Sequence, residues 1–182
     1  EVPDLRLKQL SDIVTPERVL AATVEFVDIA GLVAGASKGE GLGNKFLANI
    51  RGTDAIGEVV RIFEDDNSIH VDGKVAPVSD IETINLELII ADMQSVTKRI
   101  DTLARDVKRG DKVAAAEHAA LVKILMVLEK GDLAAKATLD LEERTLLKSM
   151  NLLTLKPILY ILNKKAGGKN LDEMNDPRFV QL

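Results

Sequence analysis

Apolar residues recur along this chain in two rhythms, every three or four positions in some stretches and in short unbroken runs in others. Leu5, Leu7, Leu10 and Ile13 carry the first rhythm and predict a short surface helix over residues 5–13, stopped by Thr15 and Pro16. Residues 23–29 carry the second. They are β-branched and apolar, flanked by polar residues and followed by glycines, and they predict a central strand of a parallel sheet. Gly31, Gly35, Gly39, Gly41 and Gly43 then lead into an amphipathic helix over 44–51. A second strand is expected over 55–63, from Ile56, Val59, Val60, Ile62 and Phe63. Strand, loop, helix and strand in that order predict a right-handed βαβ unit.

The pattern changes at Ser79, which stands at capping-box spacing from Glu82 and opens a stretch free of Gly and Pro up to Arg109. Within it Leu86, Ile89, Met93, Val96, Ile100, Leu103 and Val107 alternate spacings of three and four, a coiled-coil seam of about three heptads. Gly110 breaks the helix. Asp111 can cap a return helix carrying Ala114, Ala120, Leu121, Ile124, Leu125 and Leu128, which Gly131 ends. The expected product is an antiparallel helical hairpin roughly 30 to 45 Å long. A helix over 140–150, with Glu143 at a capping-box offset from Asp140, leads to a strand over 157–162. The expected division is therefore 1–78 and 132–182 for an α/β sheet domain, interrupted by a hairpin insertion over 79–131.

Composition supports this class. With 46% hydrophobic and 29% charged residues in 182, the chain can bury one sizeable core. Aromatics are 3%, with no Trp and one Tyr, so the core is built from Leu, Ile, Val and Ala, which suits α/β layers and long helices rather than a β-sandwich. No apolar run approaches the roughly 18 residues of a membrane span, so no membrane partner is expected. The absence of Cys excludes disulfides and thiolate metal sites, and two His are too few for a His-rich one, which points to a cytoplasmic protein. A net charge of −5 gives no global attraction to nucleic acid. The chain opens on Glu1 and Pro3 as though in mid-sequence, and a fragment is expected.

Candidate chemistry begins at Asp28, where the first strand ends in Asp28-Ile-Ala-Gly31. An aspartate at the carboxyl end of a parallel strand can hold Mg²⁺, directly or through water, and a glycine lets a backbone N–H approach a γ-phosphate without a Cβ in the way. Asp-x-x-Gly alone mostly marks a solvated turn. The longer string Asp28-Ile-Ala-Gly-Leu-Val-Ala-Gly-Ala-Ser-Lys-Gly-Glu-Gly-Leu-Gly-Asn44 is far more specific.

That string resembles the switch II region of the Obg-related P-loop proteins, and Arg61-Ile-Phe-Glu-Asp-Asp-Asn-Ser-Ile-His70-Val-Asp-Gly-Lys-Val resembles the YchF branch of that family. The resemblance extends to about Asn163 and includes the hairpin. It implies a P-loop NTPase-type parallel sheet with a coiled-coil insertion, a P-loop upstream and a small TGS domain downstream. It further implies hydrolysis of ATP or GTP with Mg²⁺, and a ribosomal or ribosomal-RNA partner, reached through the hairpin and the TGS domain, in translation or stress regulation. Leu32 stands where Ras-type GTPases carry a water-orienting glutamine, and an apolar side chain cannot hydrogen-bond that water. The resemblance gives the role to His70, with Gly31 at the phosphate and Asp28 at the metal. Without the family, His70 between Ile69 and Val71 would more often be a half-exposed strand residue. His118 lies among alanines, where a surface role is expected.

The last strand places Asn163 where P-loop GTPases read the base. In place of the guanine-reading Asn-Lys-x-Asp, or the Asn-x-x-Glu of YchF proteins, this chain has Asn163-Lys164-Lys165-Ala166. Asn163 can still bond the purine and the Lys164 stem can lie over its face, but guanine loses its carboxylate partner, so the reading leans to ATP. Around the hairpin tip, Lys98, Arg99, Arg105, Lys108, Arg109 and Lys112 outnumber Asp101, Asp106 and Asp111. Such a run is ordinarily a solvated helix face; the alternative is contact with the RNA backbone. From a different class of function, the chain could be a non-catalytic coiled-coil interaction module on a degenerate sheet; a P-loop upstream separates the two.

Overall fold

The computed structural model describes residues 2–29, 42–63, 76–165 and 167. They fall into two units, Glu1–Ala30 and Gly31–Leu182.

In the first unit, α1 (Leu5–Val14) starts at Asp4, whose carboxylate accepts the Arg6 N–H at 3.0 Å, and ends at Thr15 in the left-handed region at φ 44°. The helix expected over 5–13 is present, and it buries none of its residues. Residues 23–29 form no strand, contrary to the expectation from their apolar run. A strand exists only through a ladder, and none reaches these residues among those described; the Val2 N–H bond to the Ala22 carbonyl, at 2.7 Å, stops short of them. Their side chains face water accordingly, with Phe26 89% exposed. The βαβ unit expected to start with this strand is therefore absent among the described residues.

The second unit contains α2 (Leu42–Arg51), β1 (Ile56–Arg61), α3 (Pro77–Lys108), α4 (Lys112–Leu128), α5 (Leu141–Leu147) and β2 (Ile158–Asn163), with 3-10 turns at Ala134–Lys136, Lys148–Met150 and Leu153–Leu155. The strands pair in parallel, with Ile56 opposite Ile158 and Arg61 opposite Asn163. Pro157 lacks an N–H and stays outside β2, but its carbonyl accepts the Ile56 N–H at 2.9 Å.

α3 begins at Pro77 rather than at Ser79. Proline suits the first turn, where its fixed φ is already helical and its missing N–H costs nothing. Ser79 lies inside the helix, its carbonyl accepting the Thr83 hydroxyl, so the expected capping box does not form. The 32 residues of α3 rise about 48 Å. Its seam buries Ile89, Val96 and Leu103, with Met93, Ile100 and Val107 packed beside them. Leu86, expected in that seam, is 51% exposed. Before Ile89 the helix packs on β1 instead of α4, so the buried stripe rotates to Val78, Ile81 and Leu88.

Gly110 makes the hairpin turn at φ +85°, a conformation without a Cβ penalty only for glycine. Asp111 then caps α4 by accepting the N–H groups of Val113 and Ala114 at 2.9 and 3.0 Å. α4 buries Ala114, Ala120, Leu121, Ile124 and Leu128 against α3. The Arg99 guanidinium crosses the hairpin to Glu117 with two bonds of 2.7 and 2.8 Å. At α5 the Asp140–Glu143 capping box is complete, with bonds of 2.8 and 3.0 Å. No helix among the described residues is long and apolar enough to cross a membrane.

One carboxylate ties these parts together. Asp92, on α3 and 0% exposed, accepts the Leu153 N–H at 3.0 Å and both the N–H and hydroxyl of Thr154 at 2.7 Å. The Thr154 oxygen in turn accepts the Ala134 N–H at 3.2 Å. Burial pushes the Asp92 carboxyl above the usual carboxylate range, opposed by these donors and by Arg51. Asp92→Ala leaves three donors buried without an acceptor and is expected to cost roughly 3 kcal/mol. Asp111→Ala, the loss of an exposed cap, is expected to cost about 1 kcal/mol. Urea denaturation of both variants checks this, and equal losses would contradict the central place given to Asp92.

Candidate functional site

The carboxyl ends of β1 and β2 lie side by side, Arg61 beside Asn163, and open α/β sheets bind ligands at that end. The Ile62 N–H donates to the Asn163 carbonyl at 3.0 Å, closing the ladder there. The Asn163 and Lys164 side chains are exposed. Arg61 is half-buried; its Nε donates to the Phe63 carbonyl at 3.0 Å, and its guanidinium lies 4.9 Å from the Phe63 ring centre. This fixes a cation beside Asn163. The sequence carried only a weak signal for it, a basic residue closing an apolar run, because the register that pairs it with Asn163 spans a hundred residues of chain.

Of the other expected site residues, Asp28 is exposed, carries no strand, and belongs to the first unit. Gly31, Leu32, His70 and Ala166 lie outside the described residues. Among the described residues no group of three or more His, Asp or Glu could hold a metal ion by itself. A single exposed carboxylate such as Asp28 nonetheless fits Mg²⁺, which keeps several waters and takes one or two carboxylates beside the phosphates of its nucleotide.

At the hairpin tip Lys98, Arg105, Lys108, Arg109 and Lys112 are exposed, whereas Arg99 is committed to Glu117. Arg109 approaches Asp106 at 3.7 Å, a water-exposed pair of little energetic weight. His118 is half-buried on α4.

Behind the sheet, on the face toward α3, Glu58 is 9% exposed, and among the described residues neither of its carboxyl oxygens has a hydrogen-bond partner. Its register partner Tyr160 accepts from the Asn85 amide at 3.0 Å, while Asn85 Oδ1 is also unpartnered among the described residues. Burial first, and the charge of Asp80 second, push the Glu58 carboxyl up to about 7.

A parallel pair of strands with polar ends, and long helices in the crossover between them, defines an α/β protein. No protein-family profile matches the chain. Individual proteins do. The chain is 57% identical over 167 residues to the ribosome-binding ATPase YchF of Haemophilus influenzae, covering 92% of this chain and 46% of that protein. With the ribosome-binding ATPase YchF of Bacillus subtilis it shares 50% identity over 177 residues, 97% of this chain and 47% of that protein. The solved structure of the Schizosaccharomyces pombe YchF GTPase matches with a TM-score of 0.72 and 34% identity, over 99% of this chain and 49% of that one. Along nearly all of its own length the chain is similar to proteins named YchF. It spans about half the length of these relatives.

The raised Glu58 fixes a pH dependence. The folded state holds the proton up to about pH 7 while the unfolded chain releases it near 4.5. Stability from this group is therefore fully present below pH 4.5 and is lost as pH rises to about 7. Replacement by neutral glutamine should remove that slope, leaving the variant more stable than the parent at pH 8 by on the order of 1–2 kcal/mol after allowance for solvent screening. Denaturation between pH 4.5 and 8 tests this, and parallel pH profiles for the two proteins would refute it.

Proposed function

We propose that the protein is a cytoplasmic, ribosome-associated nucleotide hydrolase that cleaves the γ-phosphate of ATP. The observation that carries the reading is its 57% identity, over 92% of the chain, to a protein named for ribosome binding and ATPase activity. The paired strand ends at Arg61 and Asn163 support it, since this is the sheet edge where α/β proteins bind nucleotides.

In this mechanism Asn163 bonds the purine edge and the Lys164 stem covers its face. Residues 163–166 offer no carboxylate for the N1 and N2 donors of guanine, so ATP is the favoured substrate. Asp28 would hold Mg²⁺, which supplies charge neutralisation on the β- and γ-phosphate oxygens when bound. The Gly31 N–H donates to a γ-phosphate oxygen. Leu32 cannot orient water, and His70 takes that part: its imidazole accepts the proton of the attacking water as the new P–O bond forms and the bond from the γ-phosphorus to the bridging oxygen breaks. The exposed Arg105, Lys108 and Arg109 at the hairpin tip contact ribosomal RNA phosphates.

In the protein at full length, His70→Ala is expected to lower kcat by about 100-fold or more with little change in nucleotide affinity. Steady-state phosphate release measures this; undiminished turnover would remove His70 from the mechanism. Neutralising Arg105, Lys108 and Arg109 together is expected to reduce the slope of log affinity for ribosomes against log salt by about 2 to 3. A slope equal to that of the parent would place the contact elsewhere.

A further inference from the structure

α5 packs alongside α4, held there by Lys123 Nζ, which donates to Glu143 at 2.6 Å. The two helices leave an open groove of about 510 Å³ between them, lined by Lys112, Val113 and Ala116 of α4 and by Leu141, Glu142 and Thr145 of α5. Its apolar side chains are turned to water, Val113 being 63% and Leu141 80% exposed. The core does not use them, since α4 buries Ala114, Ala120, Leu121, Ile124 and Leu128 and α5 buries Leu147. One exposed leucine is ordinary, but two large apolar side chains from separate helices in one groove form a contact surface. The lining also carries both charges. Lys112 follows the hairpin turn and continues the exposed basic series of Arg105, Lys108 and Arg109. On α5, Asp140 and Glu143 are committed to the capping box, and Glu143 to Lys123 as well. The exposed carboxylate of Glu142 has no such commitment among the described residues.

We propose that this groove receives the base of an unpaired RNA nucleotide. Lys112 holds its phosphate, Val113, Ala116 and Leu141 pack on the face of the base, and Glu142 accepts from an exocyclic amino group at the base edge. The inference rests on the ribosome-associated function proposed above and gives its RNA contact a base preference. Phosphate contacts at the tip position RNA without reading it; reading needs a face and an edge of a base. Proteins read RNA by sequence chiefly where bases are unpaired and splayed out, so that the face packs on side chains while the edge is hydrogen-bonded. Such a nucleotide is anionic at its phosphate, apolar on its base faces and polar at its edge, the same three chemistries that meet in the groove. The run of exposed cations beside it favours a polyanion over a protein segment as the occupant. A carboxylate accepts hydrogen bonds and donates none, so it takes the amino groups of adenine, cytosine or guanine and gains least from uracil, which has no exocyclic amine.

The test uses the protein at full length, with short single-stranded oligoadenylate, oligocytidylate and oligouridylate as probes and purified ribosomes beside them. The parent should bind the first two about fivefold or more tighter than the third. Glu142→Ala should erase that preference without weakening binding overall, because it removes a negative charge from beside a phosphate. The double variant Val113→Ser with Leu141→Ser should bind all three probes about tenfold more weakly and keep the parent's slope of log affinity against log salt. Lys112→Gln should instead lower that slope by about 0.7. Both serines replace side chains that face water, and a melting temperature equal to the parent's checks that the fold is kept. Ala116→Gln, which fills the groove from another exposed position, should give the same loss by a second route. Ribosome affinity should fall together with oligonucleotide affinity in both. Oligonucleotide binding that does not discriminate among bases, or that both variants leave unchanged, overturns the proposal; loss of ribosome binding alone would then assign the groove to a segment of a ribosomal protein. A parent that shows the base preference but binds no ribosomes overturns the ribosomal role and leaves the groove as a base-reading site.

Discussion

The buried carboxylate of Asp92 accepts three hydrogen bonds from a turn some sixty residues later in the chain, and the second unit is organised around that exchange. A carboxylate withdrawn wholly from water must be met by donors, or the fold that buries it is disfavoured by several kcal/mol. Those donors are the N–H groups of Leu153 and Thr154 and the Thr154 hydroxyl, so α3 and the residues before β2 are held in one alignment. Thr154 passes the constraint on to Ala134, just after α4, which fixes the exit from the hairpin as well.

Two consequences follow for the site. β2 follows a turn held by three hydrogen bonds to Asp92, and its parallel register with β1 places Asn163 beside Arg61. The hairpin is not an appendage with its own small core. Its apolar seam runs on through Ala134, Ala137, Leu139 and Leu147 to Leu152, beside the turn that Asp92 holds. The strand ends and the charged tip therefore share one continuous packed body within the second unit.

Much of this was legible in the sequence where the signal is local. The α3–α4 hairpin follows from its spacing of three and four, Gly110 and Asp111 mark its turn, and the Asp140–Glu143 capping box marks α5. Both paired strands were visible as short apolar runs, to within two residues at their ends. The failures have physical causes. Residues 23–29 have strand composition, but a ladder needs a partner that composition cannot specify. Leu86 fits the heptad pattern, yet the partner of α3 changes near Ile89 from helix to sheet, and periodicity does not report which neighbour a face meets. Asp92, in the run Leu88-Ile-Ile-Ala-Asp92-Met, is the signal most easily overlooked: a lone acid in an apolar stretch, whose partners lie far down the chain. Of the expected site residues, the structure describes Asp28, Asn163 and Lys164, and the catalytic part given to Gly31 and His70 rests on family resemblance.

Amide hydrogen exchange at Leu153 and Thr154 tests the organising role of Asp92 most directly. If these two N–H groups are locked onto a carboxylate that releases them only when the unit unfolds, they exchange with the slowest amides of the α3–α4 core, at a rate set by global stability. Exchange as fast as at the exposed hairpin tip, through local opening, would show that the turn moves freely of α3 and would contradict the account.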